Sequence, residues 1–238
     1  MFAQPGTSRR IHPVSAVAQP APTVSSPLAF LFTDLQDSTG LYERVGDDDA
    51  YEIVRLHFAF VARIVVAHSG VVVKTTGDGV MATFDRPVAA VRTALAIQAR
   101  IGDFNRLYAC GDDQRHLAVK LGIHWGGSLR SEEDGGLDYF GSAVNLAARL
   151  RGHSQGGDIV LSEVVADHRN VRLLLARLET RWETLPFKGF SEPVRVVRVM
   201  PAFGRAADAG EAAPSPAGAV SLIGATRALW VLGDPRPT

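Results

Sequence analysis

The chain has 238 residues, with 25 basic against 25 acidic side chains and 46% apolar residues. A balanced charge excludes the broad basic footprint that nucleic acid or an anionic membrane surface favours. The apolar share fills the core of one domain of roughly 150 to 200 residues, and no second folded domain is expected.

Cys110 is the sole cysteine, so neither an intramolecular disulfide nor a Cys-rich zinc site is available. A reducing cytoplasm fits this usage, and Cys110 reads as an inert, partly buried thiol. No apolar run approaches the ~18 residues that span a bilayer, since the one near 65–73 is broken by His68, Ser69 and Gly70. Arg9 and Arg10 are followed by Pro, Ala and Ser rather than by the apolar stretch of a secretory signal.

Composition divides the chain into three parts. Residues 1–26 are rich in Ala, Pro and Ser and read as a disordered tail; 27–200 form the folded domain; 201–238 are a low-complexity tail ending in the short apolar stretch VSLIGATRALWVLG. Within the domain, LAFLFTDL predicts a buried strand. Asp47 to His68 carries helical spacing at Ile53, Leu56, Phe60 and Ile64.

GVVVKTT, GDG and VMATF predict a β-hairpin in which Asp78-Gly79 supplies the positive φ angles of a tight turn. On its first strand, alternation places Val72, Lys74 and Thr76 on one face. Pro87 opens a helix to about Tyr108. LAVKLGIHWG predicts a strand, GSAVNLAARLRGHS a helix, DIVLS a short strand, and VRVVRV a last strand preceded by a turn at Lys188-Gly189. Helices interleaved with an antiparallel-rich sheet give an α+β sandwich.

Several residues stand where chemistry is possible. Asp34 lies where its strand runs out and Asp78 at the hairpin tip, and paired carboxylates at loop ends suit Mg²⁺ or Mn²⁺. Singly, each is equally a turn residue. Lys74 interrupts an apolar strand, and Asn145 and Arg149, four apart, share a helix face on which a guanidinium beside an amide suits a phosphate.

Their order and spacing resemble the catalytic domain of class III adenylyl and guanylyl cyclases, over residues 27–200. FTDLQDST resembles the family's first metal motif, KTTGD its hairpin motif, DYFGSAVNLAAR its signature near the domain end and FKGF its terminal motif; GIHWG fits its central strand. The resemblance implies a ferredoxin-like α/β sandwich with a mainly antiparallel sheet. It also implies an adenylate cyclase that makes 3′,5′-cyclic AMP and pyrophosphate from ATP, with two Mg²⁺ or Mn²⁺ ions per site. Asp34 and Asp78 are then the metal ligands, Lys74 and Asp138 the adenine readers, Asn145 and Arg149 the transition-state residues, and Lys188 and Thr39 phosphate-binding residues.

The family's shared sites imply a homodimer. Two features depart from its pattern. Gln36 and Asp37 stand in the phosphate-wrapping loop, where Asp37 brings negative charge towards a polyanion, and the arm GGSLRSEEDGGL is short and acidic, which implies weak dimerisation. A guanylate or dual-specificity cyclase, and a silent nucleotide-binding or dimerisation module, are the alternatives; a diguanylate cyclase is disfavoured because Thr76-Gly77-Asp78-Gly79 replaces its Gly-Gly-acidic hairpin.

Overall fold

The computed structural model describes residues 22–108, 112–133 and 136–201. Cys110, most of the N-terminal tail and nearly all of 201–238, including its apolar end, lie outside them. The strands are β1 (Thr23–Val24), β2 (Leu28–Leu35), β3 (Val71–Thr76), β4 (Gly79–Phe84), β5 (Val119–Gly126), β6 (Leu129–Glu133), β7 (Gly136–Phe140), β8 (Ile159–Ser162), β9 (Glu179–Leu185) and β10 (Val194–Met200). The helices are α1 (Ser38–Val45), α2 (Asp47–Ala67), α3 (Pro87–Tyr108), α4 (Ser142–His153), α5 (Glu163–Ala166) and α6 (Arg169–Leu175). Among the described residues no helix is long and apolar enough to cross a membrane.

A seven-stranded sheet runs β3-β4-β2-β5-β8-β10-β9, antiparallel throughout except for the parallel pair β5 and β8. That pair is parallel because α4 carries the chain back across the sheet between them. A second, small sheet runs β1-β6-β7.

β2 is buried on both faces, which explains its unbroken apolar run. Ala29, Leu31 and Leu35 join the large core under α2 and α3, while Phe30 and Phe32 point the other way into a core with Met81, Tyr139, Ala143, Val144 and Ala147 beneath α4. Phe30 meets Tyr139 edge to face with centroids 5.7 Å apart, a geometry that adds about 1 kcal/mol to the area buried.

The antiparallel-rich α+β sandwich agrees with the sequence reading, which left α1, α5, α6, β6 and β7 unassigned, and four further details differ. Thr23 and Val24 pair with Arg130 and Leu129, so the ordered unit begins inside the stretch read as a tail. The hairpin turn takes its positive φ at Gly77 (66°), the first central residue, as a type II′ turn does, rather than at Asp78-Gly79.

A β-bulge between Val72 and Lys74 breaks the simple alternation. Val72 lies opposite Ala82 of the large core, whereas Lys74 lies opposite Met81 of the second core, so Val72 and Lys74 face opposite ways. β9 escaped sequence reading because it is a charged, largely exposed edge strand with no apolar face.

His57 on α2 is fully buried, ringed by Phe58, Phe60 and Phe104, and neither ring nitrogen has a hydrogen-bond partner. Burial lowers its pKa from 6.5 to about 4, against the opposing pull of Asp78. Between those values the unfolded imidazole binds a proton and the folded one does not, so this group's stability is present above pH 6.5 and is lost as pH falls towards 4. Chemical denaturation should therefore show His57→Phe losing roughly 2 kcal/mol less than the wild type between about pH 7 and pH 4.5. Equal losses in both proteins would show that His57 is not buried neutral.

Candidate active site

Asp34 sits at the end of β2 and Asp78 in the two-residue turn between β3 and β4. The turn reaches β2 because Gly79 has no side chain: a Cβ there would lie 1.9 Å from the Thr33 carbonyl oxygen. The Val80 N–H donates to Thr33 Oγ1 at 2.9 Å and fixes the approach. The two carboxyl groups consequently lie side by side. Burial first, then the neighbouring Asp78 carboxyl, push Asp34 up to about 6, while Arg151 and Lys120 pull the other way. Asp78 Oδ2 is buried and has no hydrogen-bond partner, which leaves an oxygen free for a cation.

Next to this pair, α1 begins at Ser38, with Thr39 exposed in its first turn. Asp37 precedes the helix in the left-handed region (φ 55°). Arg44 Nη1 holds the Asp37 carboxylate at 2.8 Å, and this hydrogen bond keeps its pKa below the usual carboxylate range. The Asp37 charge is thus already paired with an arginine seven residues on.

Lys74 Nζ donates to Asp138 Oδ2 at 2.5 Å, bridging β3 and β7. The bulge turns Lys74 towards β7, and the Tyr139 backbone N–H donates to Asp138 Oδ1 at 2.8 Å, orienting the carboxylate. The Phe140 ring lies 5.8 Å from the ammonium.

Asn145 is exposed on α4, and the half-buried Arg149 lies over the Phe190 ring at 5.8 Å. Phe190 belongs to the loop that carries Lys188 and turns at Gly189 (φ 86°), so the loop is seated against the same helix edge as Arg149.

The sequence-predicted residues thus form three groups: Asp34 with Asp78 beside Thr39's helix; Lys74 with Asp138; and Asn145 and Arg149 with the Lys188 loop. Among the described residues, no hydrogen bond or ion pair joins one group to another.

Two residues escaped the sequence reading. Arg151 Nη1 donates to Asp34 Oδ1 at 3.2 Å, and Lys120 lies opposite Asp34 in the β2–β5 register. The signal for Arg151 was the helix period: Val144, Ala147, Ala148 and Arg151 share one face, whose first two residues are buried on the sheet. Lys120 is visible only once β5 is paired with β2.

Residues 21–184 match the model of the adenylate and guanylate cyclase catalytic domain. The chain is 32% identical over 154 residues to an adenylate cyclase of Mycosarcoma maydis, which covers 58% of this chain and 6% of that protein. It is 30% identical over 133 residues to adenylate cyclase 1 of Rhizobium meliloti (strain 1021), covering 51% and 20%. The chain therefore spans a fifth or less of the length of these two relatives.

Among solved structures, the adenylyl cyclase CyaB from P. aeruginosa aligns with a TM-score of 0.66 at 24% identity, over 80% of this chain and 100% of that one. The guanylyl cyclase Cya2 aligns with a TM-score of 0.66 at 22% identity, over 80% and 99%. At such identities the likeness establishes the fold. With the domain model matched over more than half of its length, the chain belongs to the class III adenylate and guanylate cyclase catalytic domain family.

Proposed function

We propose that this chain converts ATP to 3′,5′-cyclic AMP and pyrophosphate as a homodimer with two shared active sites. The observation that carries the choice of substrate is the Lys74–Asp138 pair. An ammonium donates and a carboxylate accepts, which complements adenine N1 and its exocyclic amine; guanine presents the inverse pattern. An adenylyl and a guanylyl cyclase match the fold equally well, so these two side chains alone favour adenine.

Cyclase domains of this family use divalent metal ions. The residues here fit them, because Asp34 and Asp78 offer an all-oxygen pair with one buried, unpartnered oxygen. Among the described residues no group of three or more His, Cys, Asp or Glu side chains is gathered for a metal, which leaves backbone carbonyls, the triphosphate and water to complete the coordination. We assign Asp34 and Asp78 as holders of two Mg²⁺ or Mn²⁺ ions, which when bound supply charge neutralisation and activation of the ribose hydroxyl.

The remaining chemistry asks the chain to bind, orient and stabilise charge. A bond forms between the ribose 3′-oxygen and the α-phosphorus, the bond from that phosphorus to the pyrophosphate oxygen breaks, and the hydroxyl proton passes to solvent. No protein nucleophile takes part. Arg149, seated on Phe190, faces the charge that develops at the α-phosphate, and Asn145 orients the ribose. Lys188 and the first turn of α1 with Thr39 receive the triphosphate, where free helix N–H groups favour phosphate.

The separation of the Arg149 group from the carboxylate pair supports a site completed by a second copy. So do the exposed apolar residues Val24, Leu129 and Phe140 of the small sheet, a surface suited to burial against a partner.

The Asp34 shift gives a signed expectation. Its folded pKa is raised from 3.8 to about 6, so its contribution to stability is full below 3.8 and lost as pH rises through 6. With a non-cyclisable ATP analogue present, added Mn²⁺ should raise the melting temperature strongly above about pH 7, where the ion relieves the repulsion, and little below about pH 5, where it must displace a proton. Asp34→Asn should abolish the difference and cut turnover at least roughly a hundredfold. A pH-independent melting shift would count against the carboxylate pair as the metal site.

Base reading is tested by Lys74→Glu combined with Asp138→Cys, which should lower ATP turnover and raise the relative use of GTP. An unchanged ATP to GTP ratio in the folded double variant removes both residues from base recognition.

Complementation tests the shared site. Asp34→Ala and Arg149→Ala should each be inactive alone, whereas an equal mixture that exchanges freely should recover roughly a quarter of wild-type activity, since about half the dimers are mixed and each has one intact site. Recovery should grow with protein concentration if dimerisation is weak. A mixture as inactive as its parts, with exchange shown by pull-down of differently tagged chains, would end the shared-site reading.

A further inference from the structure

Arg151 lies on the sheet-facing side of α4, in its last turn. The helix approaches β5 closely there because Gly122 has no side chain: a Cβ at Gly122 would lie 2.1 Å from the Arg151 backbone nitrogen. This contact delivers the guanidinium to the end of β2, where Nη1 meets Asp34 Oδ1 at 3.2 Å. The side chain is 26% exposed and that of Asp34 21%. Arg151 Nε is buried without a hydrogen-bond partner, and so is Asp78 Oδ2 in the same carboxylate pair.

Among the described residues, Arg151 is the one cation in ion-pair contact with Asp34; Lys120 faces Asp34 across the strand register without such a contact. A guanidinium presents five donors in a fixed fork and does not lose its charge. Two adjacent half-buried carboxylates repel one another, and a permanent cation against one of them offsets that cost.

From this geometry we propose that Arg151 is the resident counter-ion of the Asp34 and Asp78 carboxylates and thereby sets how tightly the nucleotide-free site binds a divalent cation. A cation arriving at Asp34 meets an oxygen already engaged by the guanidinium and a like charge beside it. Binding is weaker by that repulsion and by the loss of the ion pair. The site is accordingly built to stay poorly loaded until the triphosphate brings its own negative charge, which makes metal and nucleotide arrive together. This inference rests on Asp34 and Asp78 being the metal site.

The test is a titration of the nucleotide-free full chain with Mn²⁺, reading the free ion by electron paramagnetic resonance. Arg151→Gln should bind Mn²⁺ roughly tenfold more tightly than wild type, the size of the repulsion between a dication and a guanidinium a few ångströms apart in a nearly aqueous medium. Arg151→Lys, which keeps the charge, should stay close to wild type, and Arg151→Met carries the same expectation as Arg151→Gln should that variant not fold. A residue of purely structural importance would not tighten the metal on removal. Asp34-dependent binding that is unchanged or weaker in folded Arg151→Gln or Arg151→Met overturns the role of Arg151 alone. Binding that survives Asp34→Asn, or no binding in any variant, overturns the metal assignment beneath it.

Discussion

The site depends on one steric constraint, the approach of the β3–β4 turn to the end of β2. It is possible because residue 79 is glycine, with its α-carbon against the Thr33 carbonyl, and it is fixed by the hydrogen bond from Val80 to the Thr33 hydroxyl. Two carboxylates then sit side by side at the rim of the core. Their repulsion and partial desolvation are unfavourable, as the raised Asp34 pKa records. The cost is carried by strands buried on both faces, whose packing leaves the turn no freedom to retreat. Such local strain, held by well-packed surroundings, is the usual form of a site poised for a ligand.

The second constraint is the position of α4, which works for two places at once. Residues 149 and 151 are about 200° apart around the helix, so Arg149 looks out over Phe190 while Arg151 reaches in to Asp34. The helix is pressed on β5 at Gly122 and tied at its C-terminus by Arg198, which donates to the His153 carbonyl at 3.0 Å and pairs with Asp158 and Glu183. Arg198 satisfies a carbonyl that the helix end leaves free, and by holding α4 it holds both arginines.

Much of this was readable from the residues. The apolar run of β2, the helical period of α2 and the carboxylates at loop ends follow from local pattern, and the motif order indicated the family that the domain match then established. What escaped depends on pairing between distant segments. The bulge that turns Lys74 to Asp138 is invisible in GVVVKTT, because a strand's alternation says nothing about an extra residue accommodated by its partner. Asp37 looked like a charge facing a polyanion until Arg44, seven residues on, proved to hold it. Arg151 lies among the small residues of a core-facing helix stripe, and its meaning appears only when that stripe is laid over the end of β2.

The separation of the three groups within one chain has an electrostatic logic. Were Arg149 within reach of Asp34 and Asp78, opposite charges at contact distance would pair and quench one another, and both would have to be pulled apart before a substrate entered. Here the outward arginine rests on an aromatic ring and keeps its charge available, while Asp34 is held by the inward arginine of the same helix. On the proposed reading a polyanionic substrate would meet cations from several directions, and keeping them apart within one chain keeps them from pairing with its own acids. Dividing the charges between the two faces of α4 avoids that collapse, and the neutral overall charge of the chain conceals a sharply polarised site.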